Sequence, residues 1–290
     1  MKLGVFAAFA TPFATPEGLA TLGREAESRG IESLWLPEHV VLFDDYESKY
    51  PYDPEGKFPA PPDAGLLEPL SSLAYLAAHT STVRLATGIL LLPQRNPVYT
   101  AKEVANIDWL SGGRVDLGIG VGWLAEEFAT VNVPFPRRGA RADEYIRVLK
   151  SLWTDDVSSF QGEFYDLPES RMYPKPVQDP HPPIHVGGES DAALGRVARL
   201  GDGWYTFNRT PEQLEEPLAT LDELLEAEGR SRADIQLSVC PYLSPLTPDT
   251  VVGYREAGVD RVIAVVIGGT PDDIPGSLEA LEPCLEAARG

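Results

Sequence analysis

Eight short runs rich in Val, Ile and Leu recur along this chain, separated by segments of helical period, and that alternation constrains the fold more than any single motif does. The runs are "LGVFAAF" (3–9), "SLWLP" (33–37), "VRLATGILL" (83–91), "RVDLGIG" (114–120), "PIHVGG" (183–188), "GWYTF" (203–207), "IQLSVCPYL" (235–243) and "RVIAVVIG" (261–268). Between them lie amphipathic stretches such as "PEGLATLGREAESRG", "AKEVANIDWLSGG", "ARADEYIRVLKSLW", "SDAALGRVARLG" and "PEQLEEPLATLDELLEAEG". Pro16 and Pro211 suit first helical turns, and Gly30, Gly112, Gly201 and Gly229 suit helix ends. Eight strands alternating with helices in 290 residues predict a (β/α)8 TIM barrel forming one domain over residues 1–290. An open doubly wound sheet is the alternative topology.

Two segments interrupt the alternation, residues 42–68 and 155–183, both rich in proline and aromatics and without helical period. Loops of that length inside a compact domain are usually binding loops or lids, and their Tyr and Phe content points to ordered packing rather than disorder. The chain carries a formal charge of −20 with only 24 Lys and Arg. Nucleic acid and anionic membrane surfaces, which need clustered cations, are therefore unsuitable partners, and a small-molecule substrate is expected. Cys240 and Cys284 have no CxxC spacing, so they read as buried small hydrophobes in a cytoplasmic protein rather than as a disulfide or zinc site. The opening "MKLGVFAAFA" is a short apolar run followed by Pro12 and Pro16, which reads as a first strand and not as a signal peptide.

In such a barrel the active site is built where strands end and the following loops begin. That rule selects Glu38 and His39 after the second run, Thr87, Gly88 and Ile89 in the third, and Gly120, Gly122 and Trp123 at the fourth. It adds Gly187, Gly188, Glu189 and Ser190 at the fifth, and Trp204 and Phe207 at the sixth. The "GIGVG" run lacks GxGxxG spacing and is not a dinucleotide fingerprint. Its glycines either let a flat ring or phosphate chain approach bare backbone, or pack a strand tightly on its helix. "HVGGES" offers two glycines and an N-cap serine at a helix start, which suits a phosphate, although Glu189 would repel one unless its side chain turns to solvent. A plain capped helix explains the same letters. Pro182 and Pro183 between His181 and His185 exclude a helical metal pair, so no metal site is expected. His79 falls in a helical stretch and reads as structural. His39, at a strand end, can hydrogen-bond a substrate or cofactor as a neutral imidazole, or be an ordinary loop histidine.

Taken together, "SLWLPEHV", "YPYDPEGKFPAPP", "RLATGILLLPQRNP", "LSGGRVDLGIGVGWLAEEF", "RGARADEYI", "YPKPVQDPHPPIHVGGES" and "ARLGDGW" resemble the luciferase-like superfamily, and within it the coenzyme F420 (deazaflavin) branch. The resemblance spans nearly the whole chain. It implies a barrel holding a flavin-type ring at the C-terminal mouth, usually as a homodimer. It places His39 near the reactive ring carbon, Gly88 and Ile89 in a bulge with a cis peptide bond behind the ring, Gly120 and Gly122 against the ring, and Gly187, Gly188 and Ser190 at the phosphate end. Where the sugar-phosphate dehydrogenases of that group carry a catalytic glutamate after the fourth strand, this chain has Trp123, which disfavours glucose 6-phosphate and favours a flat or apolar substrate.

The activity so implied is hydride exchange between coenzyme F420 and a small organic substrate. The alternatives are an FMN-dependent monooxygenase of the same fold and a non-catalytic flavin-binding protein. An anionic deazaflavin tail needs local cations, and Arg137, Arg138 and Arg141 form the densest basic group. A solvated helix start explains those arginines equally well.

Overall fold

The structure is a computed structural model that describes residues 1–8, 10–11, 14–242, 244–266 and 270–290. Its strands are β1 (Lys2–Ala7), β2 (Ser33–Leu36), β3 (Arg84–Thr87), β4 (Leu90–Leu91), β5 (Val115–Gly120), β6 (Ser158–Gln161), β7 (Asp166–Ser170), β8 (Ile184–Gly187), β9 (Gly203–Phe207), β10 (Gln236–Cys240) and β11 (Arg261–Val266). The main sheet runs β3-β2-β1-β11-β10-β9-β8-β5-β4 and closes through β3–β5, with every pairing parallel. With β3 and β4 counted as one interrupted strand, this is the expected closed eight-stranded barrel. Strands such as β5 are buried at every position, as parallel strands must be when helices cover one face and neighbours fill the other.

The surrounding helices are α1 (Pro16–Arg29), α2 (Pro69–His79), α3 (Pro97–Ser111), α4 (Ala125–Thr130), α5 (Arg138–Thr154), α6 (Asp191–Leu200), α7 (Glu215–Ala227), α8 (Pro248–Glu256), α9 (Ile274–Glu279) and α10 (Glu282–Arg289). Thr15, Glu68, Asn96, Ser190 and Thr247 cap five of them by accepting backbone N–H bonds, which satisfies donors that a helix leaves orphaned. Among the described residues no helix is long and apolar enough to cross a membrane.

Two layers fill the barrel. The layer toward the strand C-termini is aromatic and apolar: Phe6, Trp35, Ala86, Tyr205, Phe207, Cys240 and Ile263. The layer below it is charged. Arg261 pairs with Glu32 at 2.7 Å and faces Asp116 at 3.5 Å, and Asp116 takes two bonds from Arg84 at 2.7 and 2.8 Å. Burial opposes ionisation of Asp116, but the Arg84 hydrogen bonds, His185 and Arg261 outweigh it and hold the carboxyl well below the usual range.

The third run is divided at Gly88–Ile89, the two residues between the end of β3 and the start of β4. The peptide bond between them is cis, as the resemblance implied. Residues 155–183 are ordered but do not cover the barrel mouth. They form the β6–β7 hairpin, and then Gln178 bonds Asp108, Val115 O and Arg84 at the strand N-termini, closing the opposite end. Phe9, Pro12, Leu243, Ile267 and Gly268, at or just past the expected strand ends, lie outside the described residues.

Candidate active site

Because every barrel strand is parallel, all eight C-terminal ends share one rim, and the loops that follow them meet there. The Gly88–Ile89 bulge turns the Ile89 side chain across the backbones of β5 and β8. A Cβ on Gly120 would stand 2.3 Å from Ile89 Cδ1, and one on Gly187 would stand 3.2 Å from Ile89 Cγ2. Glycine at 120 is thus a steric requirement of the Ile89 placement, and at 187 a side chain would crowd it by tenths of an ångström. Thr87 lies beneath this seat and donates its hydroxyl to Gly118 O at 2.6 Å, fastening β3 to β5. Below the bulge the Tyr205 hydroxyl is buried without a hydrogen-bond partner among the described residues.

His39 stands on the rim just beyond β2 with its side chain 9% exposed. Its Nδ1 lies 3.3 Å from Oε2 of Glu127 on α4. Glu127 is buried and collects further donors: Val40 N at 2.6 Å and Val41 N at 3.4 Å on Oε1, and Gln94 Nε2 at 3.1 Å on Oε2. The edges of Phe58 and Trp123 flank the imidazole, with centroids at 4.8 and 6.0 Å. Glu38 points away from the rim's centre, accepting from Leu91 N at 2.5 Å and Arg95 Nε at 2.9 Å, and so locks β2 to the segment after the bulge.

The first insertion is ordered over the mouth. Tyr46, Tyr50 and Phe58 surround Trp123 at centroid distances of 5.7, 5.3 and 6.1 Å. Tyr52, Phe207 and Tyr242 continue the aromatic band across the rim at 4.8 and 4.3 Å. The loop is tied down by Glu126, whose Oε1 accepts Glu47 N and Ser48 N at 2.7 and 3.2 Å. Burial pushes the Tyr50 and Tyr52 phenols up and the Cys240 thiol to about 12, which keeps these groups neutral at ordinary pH.

At the opposite rim, Ser190 caps α6 and Gly188 takes φ +120°, a conformation open to glycine and strained for other residues. Glu189 does not turn to solvent. It accepts from the Thr206 hydroxyl at 2.9 Å, Phe207 N at 2.8 Å and Arg209 Nε at 2.5 Å, so a guanidinium compensates its charge. Trp204 faces outward and is fully buried, donating Nε1 to Gly188 O at 3.0 Å. It braces the turn from behind rather than lining the mouth.

The expected basic group divides. Arg137 pairs with Glu163 and Arg141 donates to Pro134 O at 2.8 Å, while Arg138 alone reaches the rim, donating to Gly122 O at 2.9 Å. His79 is exposed at the end of α2, its ring tilted at 42° against Tyr75, and His185 lies inside the charged layer of the barrel. Glu127, Gln94 and Arg209 are the rim groups that sequence reasoning passed over.

Comparison with known proteins agrees with this geometry. Residues 1–250 match the family model described as luciferase-like monooxygenase. The chain is 36% identical over 242 residues to an uncharacterised protein of Mycobacterium tuberculosis, covering 83% of this chain and 82% of that one. It is 33% identical over 245 residues to an F420-dependent glucose-6-phosphate dehydrogenase of Kineococcus radiotolerans (82% and 66% covered). It is 35% identical over 163 residues to an FMNH2-dependent dimethylsulfone monooxygenase of Pseudomonas putida (55% and 44%). Among solved structures, monooxygenase RslO1 of Streptomyces bottropensis superposes with TM-score 0.80 at 21% identity over 100% of both chains. The F420-dependent tetrahydromethanopterin reductase of Methanopyrus kandleri gives TM-score 0.74 at 18% identity over 97% of both. The matched span, the closed barrel and the rim together show that this chain belongs to the luciferase-like monooxygenase family.

Proposed function

We propose that the chain is an oxidoreductase that exchanges hydride between coenzyme F420 and a small, flat or apolar organic substrate at the barrel mouth. The observation that carries this reading is the juxtaposition of an apolar seat, Ile89 laid across Gly120 and Gly187, with a carboxylate-held histidine on the same rim. The deazaflavin supplies the hydride when bound. The residues present fit such a group. The Ile89 seat accepts a planar ring, the α6 start with Gly188 and Ser190 accepts a phosphate, and Arg138 supplies a cation on an otherwise acidic chain. His39 is the group that holds or moves a proton at Nε2, and the Tyr46–Phe58 loop over Trp123 excludes water from the reacting centre. Trp123 offers a flat apolar wall where a sugar-phosphate substrate would need an acid, so the substrate differs from that of the Kineococcus relative.

The second reading is an FMN-dependent monooxygenase, favoured by the 35% identity to the Pseudomonas putida enzyme. Titration of the purified protein with oxidised F420 and with FMN separates the two. Tighter F420 binding is expected, equal or tighter FMN binding overturns the choice of cofactor, and binding of neither overturns both readings. We also infer a homodimer formed through α3, whose Tyr99, Trp109 and Leu110 are 73%, 57% and 72% exposed.

A further inference from the structure

The contacts of Glu127 determine which nitrogen of His39 a ligand can meet. Oε1 of Glu127 is taken by Val40 N and Val41 N, and Oε2 receives Gln94 Nε2 at 3.1 Å and faces His39 Nδ1 at 3.3 Å. A carboxylate already accepting three N–H groups has no proton to offer, so the nitrogen it faces must be a donor. Gln94 cannot present its carbonyl there, because two acceptors would then meet. The other atoms around the imidazole are the ring edges of Phe58 and Trp123, which do not compete for Nδ1. Among the described residues no protein group hydrogen-bonds His39 Nε2.

We propose that Glu127 is the positioning residue of His39, holding the neutral imidazole as the Nδ1–H tautomer with the Nε2 lone pair turned to the mouth. The proposal deepens the reading above by giving the histidine a direction. In the neutral ring Nε2 accepts a hydrogen bond from a substrate hydroxyl or a cofactor N–H, and it donates only after taking up a proton. Glu127 reaches no ligand itself. It acts through His39 from α4, 88 residues along the chain.

The structure also indicates how to separate this role from simple tethering of the loop. In Glu127→Gln the carbonyl oxygen of the new amide keeps the Val40 N–H bond, so the loop stays attached. The NH2 of the new amide would collide with the Gln94 NH2. Gln94 Oε1 is buried without a partner, so an amide flip of Gln94 turns that orphaned oxygen into the acceptor the variant needs. The second hydrogen of the new amide then points at His39 Nδ1, which must become an acceptor, and the proton moves to Nε2.

The test is 15N NMR of the histidine-labelled, cofactor-free protein, held about two pH units above the ordinary imidazole value of about 6.5. The chain has four histidines, and His39→Asn assigns the signal. In the native protein the Nδ1 shift is expected to be of the protonated type and the Nε2 shift of the unprotonated type. In Glu127→Gln the two types exchange, with unchanged far-UV circular dichroism and, on a confirmed substrate, a kcat lower by about 10²–10⁴-fold. A native His39 protonated at Nε2, or a folded Glu127→Gln that keeps the native tautomer, overturns the proposal. Should Glu127→Gln not fold, the native spectrum alone decides. No cofactor takes part in the NMR experiment, so a protein that binds neither F420 nor FMN can still pass it, and the two readings fail separately.

Discussion

Replacing Gly120 with alanine tests the seat directly. The new Cβ would lie 2.3 Å from Ile89 Cδ1 and 3.1 Å from Ile89 Cγ1, whereas carbon atoms settle at about 3.5–4.0 Å. The tip of Ile89 must therefore move by about 1.2–1.7 Å. A β-branched side chain has few rotamers with which to make that move. Any such move disturbs the Ile89 face on which the ring is proposed to lie. A misplacement of about 1 Å at a reacting centre costs on the order of 100-fold in rate, and the same overpacking costs about 1–3 kcal/mol of stability. For a chain of this length that is a fall of about 2–5 °C in Tm. Gly187→Ala is the internal control. Its nearest contacts, Ile119 O at 3.1 Å and Ile89 Cγ2 at 3.2 Å, yield by tenths of an ångström, and only a few-fold effect is expected. The assay is fluorescence titration with whichever of F420 and FMN the native protein binds, with calorimetry on the same samples. A Gly120→Ala protein that binds as the native one does, or a Gly187→Ala protein that suffers equally, refutes the placement of the ring over Ile89.

His39→Ala is expected to lower turnover on a confirmed substrate by about 100-fold or more while leaving Tm nearly unchanged; near-native turnover would remove the histidine from the mechanism. Asp116→Asn breaks a buried pair and should cost about 3–5 kcal/mol at neutral pH, or about 5–8 °C in Tm. Because Asp116 is depressed in the fold, its stabilisation is present above the unfolded value of about 3.9 and is lost as pH falls below it, by about 1.4 kcal/mol per pH unit. The gap between native and Asp116→Asn stability should accordingly narrow between pH 5 and pH 3, and a constant gap in urea titrations across that range would contradict the assignment. Trp109→Glu on α3 is expected to convert a dimer to a monomer in light scattering, and a native protein that is already monomeric at micromolar concentration would dispose of that interface.

The barrel was legible because its physics is local. A buried parallel strand reads as an unbroken apolar run and a covering helix as a 3.6-residue period, and both survive without knowledge of neighbours. His39, Ile89 and the rim glycines could be found for a related reason, since they sit within two residues of the ends of such runs. The second insertion misled because proline-rich aromatic sequence says that a loop is ordered but not which end of the barrel it packs on. Only the Gln178 contacts with Asp108 and Val115 place it at the strand N-termini.

Glu127 and Glu189 show a different kind of loss. Each has its meaning through a partner distant in sequence or on another strand: His39 for one, Arg209 and Thr206 for the other. Read alone, Glu189 is a carboxylate spoiling an anion site, and "AEEF" is an acidic first turn favoured by the helix dipole. A signal for Glu127 was nonetheless present. Leu124 and Phe128 are both buried, and position 127 flanks their face, about 60° around the helix from Leu124. An acid on a buried face must be paired or hydrogen-bonded, because an isolated carboxylate is too costly to desolvate. The adjacent Glu126 carries no such demand, since it lies about 160° around the helix from both Leu124 and Phe128 and takes up the loop at Glu47 and Ser48. Of two consecutive glutamates in the same turn, the helical period thus singles out the one that must find donors inside the protein, and it finds them in Val40 N, Gln94 Nε2 and the imidazole of His39.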